Sequence, residues 1–126
     1  MKGNLLLTPF IKIIMNKEQF EKVLIDARQK GIEAVIGMQD TYPCGGAYHM
    51  ADGNSAIIKL FKKFGVKEGN YYTCMGWSAS KMSKGYMISH SGNSYQNMDM
   101  HSRRTVAESG VFGMNELPTR VETYID

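Results

Sequence analysis

The segment Lys84-Gly85-Tyr86-Met87-Ile88-Ser89-His90 constrains the fold more than any other stretch of the chain. It reads as a strand, turn-rich segments bound it, and helical patterns lie on either side. A strand so placed must pair with others and carry helices on at least one sheet face, which points to an α+β sandwich. The length of 126 residues suits one domain with a core of its own, so residues 1–126 are read as a single domain.

Ahead of that strand, the first clear helix spans about residues 17 to 30. Asn16 supplies its N-cap and Gln19 the return half of a capping box. Phe20, Val23, Leu24 and Ala27 recur three and four apart and form one apolar stripe, while Lys17, Glu21, Lys22 and Arg28 are left for water, and Gly31 ends the helix. Glu33-Ala34-Val35-Ile36-Gly37-Met38 then reads as a short strand, followed by a loop containing Pro43 and Gly45-Gly46. Residues 1–15 read as an N-terminal extension or arm in which Phe10-Ile11-Lys12-Ile13-Ile14 can form an edge strand. Pro9, Lys12 and the lack of a small-residue cleavage site argue against a signal peptide, and the apolar run is too short and interrupted to span a bilayer.

From Gly46 onward the order of elements becomes informative. Ala47-Tyr48-His49-Met50 is a strand, and Asp52-Gly53-Asn54-Ser55 is a turn that caps a helix. That helix carries Ile57, Leu60, Phe61 and Phe64 on one face, with Lys59, Lys62 and Lys63 on the other, and Gly65 closes it. Tyr71 to Trp77 forms the next strand, and Lys81 to Gly85 turns the chain into the strand that ends at His90. A helix capped near Asn97 or Asp99 follows, with Val106, Ala107, Val111 and Met114 on its apolar side and His101, Arg104 and Glu108 on the other. Arg120 to Ile125 alternates with period two and makes the last strand. Strand, helix, strand, strand, helix, strand is the split pattern of a ferredoxin-like βαββαβ sandwich over about residues 46–126, with both helices on one sheet face. The opposite face is open unless the first helix, the arm or a second subunit covers it.

Chemistry-bearing residues are sparse. Cys44 and Cys74 form neither a disulfide framework nor a CxxC pair and read as reduced cytoplasmic thiols. His49, His90, His101 and Asp99 could contribute to acid-base or metal chemistry. They show no ligand spacing of the HExxH kind, and the histidines fall on three different elements. If Tyr48 and Tyr86 share a sheet face, alternation separates His49 from His90. No metal, no cofactor and no catalytic set is therefore expected. Net charge is +3, too small by itself to argue for an acidic partner or a nucleic acid.

Lys84-Gly85-Tyr86 resembles the opening of the third-strand signature of RNA-recognition motifs, and Tyr48 stands where a first-strand aromatic would serve. Met87, Ile88 and Ser89 depart from the rest of that signature. The resemblance implies stacking of unpaired bases on Tyr48 and Tyr86. Independently of it, Lys59, Lys62, Lys63 and Lys67 with Arg103 and Arg104 can form a basic face toward phosphates or an acidic protein, or else a solvated helix surface. Tyr95-Gln96-Asn97-Met98-Asp99 ahead of a helix, a closing Tyr124-Ile125-Asp126 and the first-strand Gly45-Gly46-Ala47-Tyr48 resemble a group of small tailed-bacteriophage proteins. Those proteins carry a Gln-Ser-Met-Asp element and a terminal Arg-Leu-Asp. Asn97 stands in place of their serine, and Tyr124-Ile125 in place of Arg-Leu. This resemblance implies a phage or mobile-element origin and transfers no activity.

The leading expectation is a non-enzymatic accessory protein in the host-cell cytoplasm that binds a host or viral protein, with a homodimer as a further expectation. One alternative is a single-stranded nucleic-acid-binding module. Another is a small-ligand-binding protein or small enzyme with a pocket near Tyr48, Trp77 and His90.

Overall fold

A computed structural model of the protein describes residues 15–41, 43–91 and 95–125. The described elements are α1 (Lys17–Ala34), β1 (Gly45–Ala51), α2 (Ala56–Phe64), β2 (Val66–Glu68), β3 (Tyr71–Cys74), β4 (Trp77–Met82), β5 (Gly85–His90), α3 (Met98–Met114) and β6 (Arg120–Ile125). The strands form one six-stranded antiparallel sheet in the order β2-β3-β4-β5-β1-β6. The fold is thus α+β, as the sequence predicts, and β1 and β5 pair inside the sheet.

Strand register sorts the side chains between the two faces. Trp77 pairs with His90, Ala79 with Ile88, and Ile88 in turn with His49, so these residues share one face. All three helices pack on it. The Trp77 indole donates to the Leu24 carbonyl of α1 at 3.0 Å, Phe20 of α1 meets Phe61 of α2 edge-on at 5.2 Å, and Trp77 meets Phe112 of α3 at 5.3 Å. Phe20, Leu24, Ile57, Phe61, Trp77, Ile88, Phe112 and Leu117 make one continuous buried core. Each such side chain contributes about 1.5–3 kcal/mol of burial. Since α1 lies with the other helices, it does not cover the opposite face. The arm of residues 1–14 lies outside the described residues.

The caps agree with the sequence. Asn16 Oδ1 accepts from the Gln19 amide at 2.8 Å while Gln19 Oε1 accepts from the Asn16 amide at 2.9 Å, a complete capping box. Asn97 Oδ1 caps α3 by accepting from the Met100 amide at 2.9 Å.

Four expectations are corrected. Gly31 does not end α1, which continues to Ala34; the glycine sits at the contact with α3, where it has no side chain to clash. Residues 33–38 are not a strand: they complete α1 and turn away through Gly37 at φ +84°, leaving Ile36 exposed. Tyr71 to Trp77 is not one strand. Met75 and Gly76, at φ +50° and +81°, form a two-residue hairpin turn that pairs Cys74 with Trp77, so Trp77 opens β4, which runs on to take in Lys81 and Met82 of the expected turn. Finally, from β1 onward the element order is β-α-β-β-β-β-α-β rather than βαββαβ, because four strands and not two lie between α2 and α3.

Candidate functional site

The residues of greatest chemical interest meet beneath α3. Met100, Arg104, Glu108 and Phe112 recur every fourth residue and form the stripe that α3 turns toward the sheet. This reverses the expected face: Val106 and Met114 are exposed, whereas Arg104 and Glu108 are buried. The inversion has a physical reason. His49 and His90 project from the sheet into the same space, and a carboxylate with a guanidinium satisfies them where aliphatic side chains would leave their N–H groups unpaired.

Glu108 is fully buried and is the centre of the group. His49 Nε2 donates to its Oε1 at 2.9 Å, and His90 Nε2 to its Oε2 at 2.6 Å. Arg104 Nη1 donates to the same two oxygens at 3.0 and 3.3 Å, and Nη2 reaches the Ala47 carbonyl at 3.3 Å. Burial alone would raise the Glu108 pKa. The hydrogen bonds from His49 and His90 and the Arg104 charge outweigh it and hold the carboxyl at about 2. Burial leads the lowering of the His49 pKa, with Arg104 and His90 adding to it against the opposing pull of Glu108. The His49 ring is accordingly neutral, with Nε2 carrying the proton and Nδ1 accepting from the Thr119 hydroxyl at 3.0 Å. His90 has oxygen acceptors at both ring nitrogens, the second being the Ser91 carbonyl at 3.3 Å. Trp77 closes the group from the core side, edge-on to His90 at 4.5 Å.

Chemically, this is a carboxylate with its lone pairs occupied and no open side. A group held at about 2 is a poor proton acceptor near neutrality, since general bases work best with a pKa close to the operating pH. The cluster therefore clamps β1, β5 and α3 together. Among the described residues no group of three or more His, Cys, Asp and Glu side chains is arranged to hold a metal ion.

Next to the clamp, the start of α3 is tied to the loop before β1. The Asp40 carboxylate accepts from the Gln96 and Asn97 amides at 3.0 and 2.8 Å, and Asn97 Nδ2 donates to the Thr41 carbonyl. Asp40, Thr41, Cys44 and Gln96 line a shallow hollow there. Cys44 and Cys74 are both free thiols, and burial raises the pKa of Cys74.

The sequence-predicted site residues scatter across the molecule. Trp77 and His90 belong to the clamp, but Tyr48 is on the other sheet face, where its hydroxyl donates to Glu122 at 3.3 Å, so the three cannot line one pocket. Tyr86 pairs with Ala51 and faces the helices, buried, so Tyr48 and Tyr86 do not form one stacking platform. Arg104 is not part of a basic surface. Lys59, Lys63 and Arg103 are exposed as expected. His49 and His90, expected on opposite faces, converge on Glu108, a residue that sequence reasoning assigned to solvent. The Arg104-to-Glu108 spacing of four was the available signal for this pair.

The face away from the helices carries Tyr71 and Thr73 of β3, Ser78 and Ser80 of β4, Met87 and Ser89 of β5, and Tyr48 and Met50 of β1. Tyr124 of β6 stands beside Tyr48, with ring centroids 6.2 Å apart, and lies over Gly46. Its charged groups are Glu68, Glu122 and Arg120, the last paired with Asp52 at 3.2 Å. No described helix is long and apolar enough to cross a membrane. No family model matches the chain, and neither a curated protein nor a solved structure matches it.

Proposed function

We propose that the chain is a non-enzymatic accessory protein, of phage or mobile-element type, that binds a host or viral protein through the sheet face that none of the described helices covers, here called the open face. The observation that carries this reading is the composition of that face among the described residues: Tyr48, Tyr71 and Tyr124 with Met87, set among serine and threonine hydroxyls and without lysine. Tyrosine and methionine are enriched and lysine depleted in protein interfaces, and tyrosine with serine combines rigid contact area with adaptable hydrogen bonding. A nucleic acid fits this face poorly, because its fixed charges are mostly acidic and Tyr86 is turned away from it. The saturated Glu108 cluster fits a structural rather than a catalytic role. Two free thiols suit a host-cell cytoplasm. The fold reads as an elaborated ferredoxin-like sandwich, supported by the contiguous strands β4-β5-β1-β6 with β1 between β5 and β6, and with β2 and β3 as additions at the far edge.

The test is site-specific photo-crosslinking in the host cell, with the reactive side chain placed at Ser80 or Tyr124 on the open face, or at the exposed Ile25 of α1 as control. One discrete protein adduct from both open-face sites, absent at Ile25 and rebuilt from purified components, is expected. Equal labelling from all three sites would overturn the reading. An adduct of two copies of the chain would replace the proposed partner with a homodimer.

A further inference from the structure

We infer a second interaction surface on the helix side of the molecule, a lysine patch that takes the phosphate backbone of a nucleic acid independently of sequence. It rests on how charge is distributed. The α2 segment contains Lys59, Lys62 and Lys63, the segment from Trp77 to His90 contains Lys81 and Lys84, and neither contains an acidic residue. The whole chain has 15 lysines and arginines against 12 acidic residues; without these five lysines, 10 remain against 12. The entire positive excess of the protein therefore resides in two segments.

The fold brings those segments together. Lys62 of α2 and Lys81 of β4 both reach the ring of Tyr86, their Nζ atoms 5.3 and 5.9 Å from its centroid. Lys81 pairs with Tyr86 across the β4–β5 ladder, so register fixes it on this face, and Lys84 lies in the turn between those strands. All five lysines are exposed. Among the described residues none of them forms an ion pair, whereas Lys22 and Lys30 of α1 pair with Asp26 and Glu33. Each ammonium group is attracted by the π-face of the same tyrosine ring, which offsets part of the cost of gathering like charges on this side of the molecule.

The chemistry of the patch selects its occupant. Lysine ammonium groups act on phosphate as point charges and lack the planar fork with which arginine reads guanine, so the surface recognises backbone and not bases. Tyr86 lies buried beneath the ammonium groups and offers no platform for an unstacked base. An acidic peptide would need an apolar anchor at the centre of the patch, and Met82, the exposed apolar side chain of residues 81–84, stands by register on the opposite sheet face from Lys81 and Tyr86. A repeating phosphate polymer needs no anchor.

Fluorescence anisotropy of a labelled 20-base-pair duplex with the full chain, titrated at several salt concentrations, tests this directly. Five neutralised phosphates give a slope of log K against log salt of about −4.5, and thus a loss of roughly 500-fold in affinity between 50 and 200 mM salt. The K62Q/K81Q double variant is expected to flatten the slope by about 2. The K22Q/K30Q double variant, with the same change in net charge on α1, should keep the wild-type slope, and near-UV dichroism of Trp77 checks that both variants are folded. A scrambled duplex should bind equally. No binding at 50 mM salt, equal slopes for wild type and K62Q/K81Q, or competition by polyglutamate as effective as by unlabelled duplex would each overturn the assignment.

Discussion

His90 Nε2 and Glu108 Oε2 lie 2.6 Å apart in a fully buried contact, and the same carboxylate receives His49 and Arg104. Because these donors come from β1, β5 and α3, the carboxylate links the helix to the two central strands. In E108Q the charge that opposes Arg104 is gone, and an amide N–H₂ group meets at least one ring N–H. Removing one member of a buried ion pair costs about 3–5 kcal/mol. Urea unfolding monitored at Trp77 should show a loss of that size, with the slope on denaturant unchanged. A loss below about 1 kcal/mol would mean that the carboxylate is not the organising group.

Acid should weaken the protein in two stages. The His49 pKa is lowered from 6.5, by burial first and then by Arg104 and His90, against Glu108; that of His101 is lowered by burial and Arg104, against the Tyr95 carbonyl, Asp40 and Glu108. A histidine lowered in the folded state contributes stability above its unfolded value, and this is lost as the unfolded chain takes up protons below 6.5. Glu108, at about 2 against an ordinary 4.5, contributes stability that is lost as pH falls through that interval. This second loss is on the order of 3 kcal/mol. Unfolding free energy measured from pH 7.5 downward should therefore fall beginning near 6.5, and again below 4.5. His49→Gln should reduce the first stage, and E108Q should abolish the second. A flat profile between pH 7 and 5 would contradict the neutral, buried state of His49.

Local patterns were readable where local physics decides. The capping box at Asn16, the cap at Asn97, the α2 stripe and the strands around Tyr48, Tyr86 and Val121 all follow from short-range spacing. Periodicity turns α3 the wrong way round because it ranks residues by polarity. Its buried stripe is polar at Arg104 and Glu108, and only the histidines of β1 and β5 make that favourable. The side of the sheet on which each histidine stands depends on register across β1 and β5, a non-local quantity. The β3–β4 turn was hidden for a different reason: Met75 adopts φ +50°, a conformation for which methionine carries no sequence signal.

Trp77 offers an independent check on how α1 is seated. Its indole N–H donates to the Leu24 carbonyl in the buried core, and the ring meets His49, His90 and Phe112. Trp77→Phe leaves that carbonyl without this donor and opens a cavity beneath α1, so a loss of about 2–4 kcal/mol is expected in chemical denaturation. Amide exchange should quicken along α1 more than along β6, which lies across the sheet. Uniform exchange in both elements would show that Trp77 does not anchor that helix.

Two glycines in helices should respond to alanine with opposite signs. In an exposed helical site, Gly→Ala gains about 1 kcal/mol from backbone entropy. Gly110 of α3 is such a site, with nothing within 4 Å of where a Cβ would stand. At Gly31 of α1, a Cβ would lie 2.8 Å from Arg104 Cγ and 2.8 Å from Glu108 Oε2, so the methyl group must push α1 off α3 or displace the carboxylate. Overpacking of that kind costs about 1–3 kcal/mol and outweighs the helix gain. G110A should thus raise the urea midpoint and G31A should lower it. G31A should also shift the acid limb toward higher pH, because a displaced Glu108 loses donors and its pKa moves back toward 4.5. If G31A proved as stabilising as G110A, the close approach of the two helices over the Glu108 clamp would be refuted.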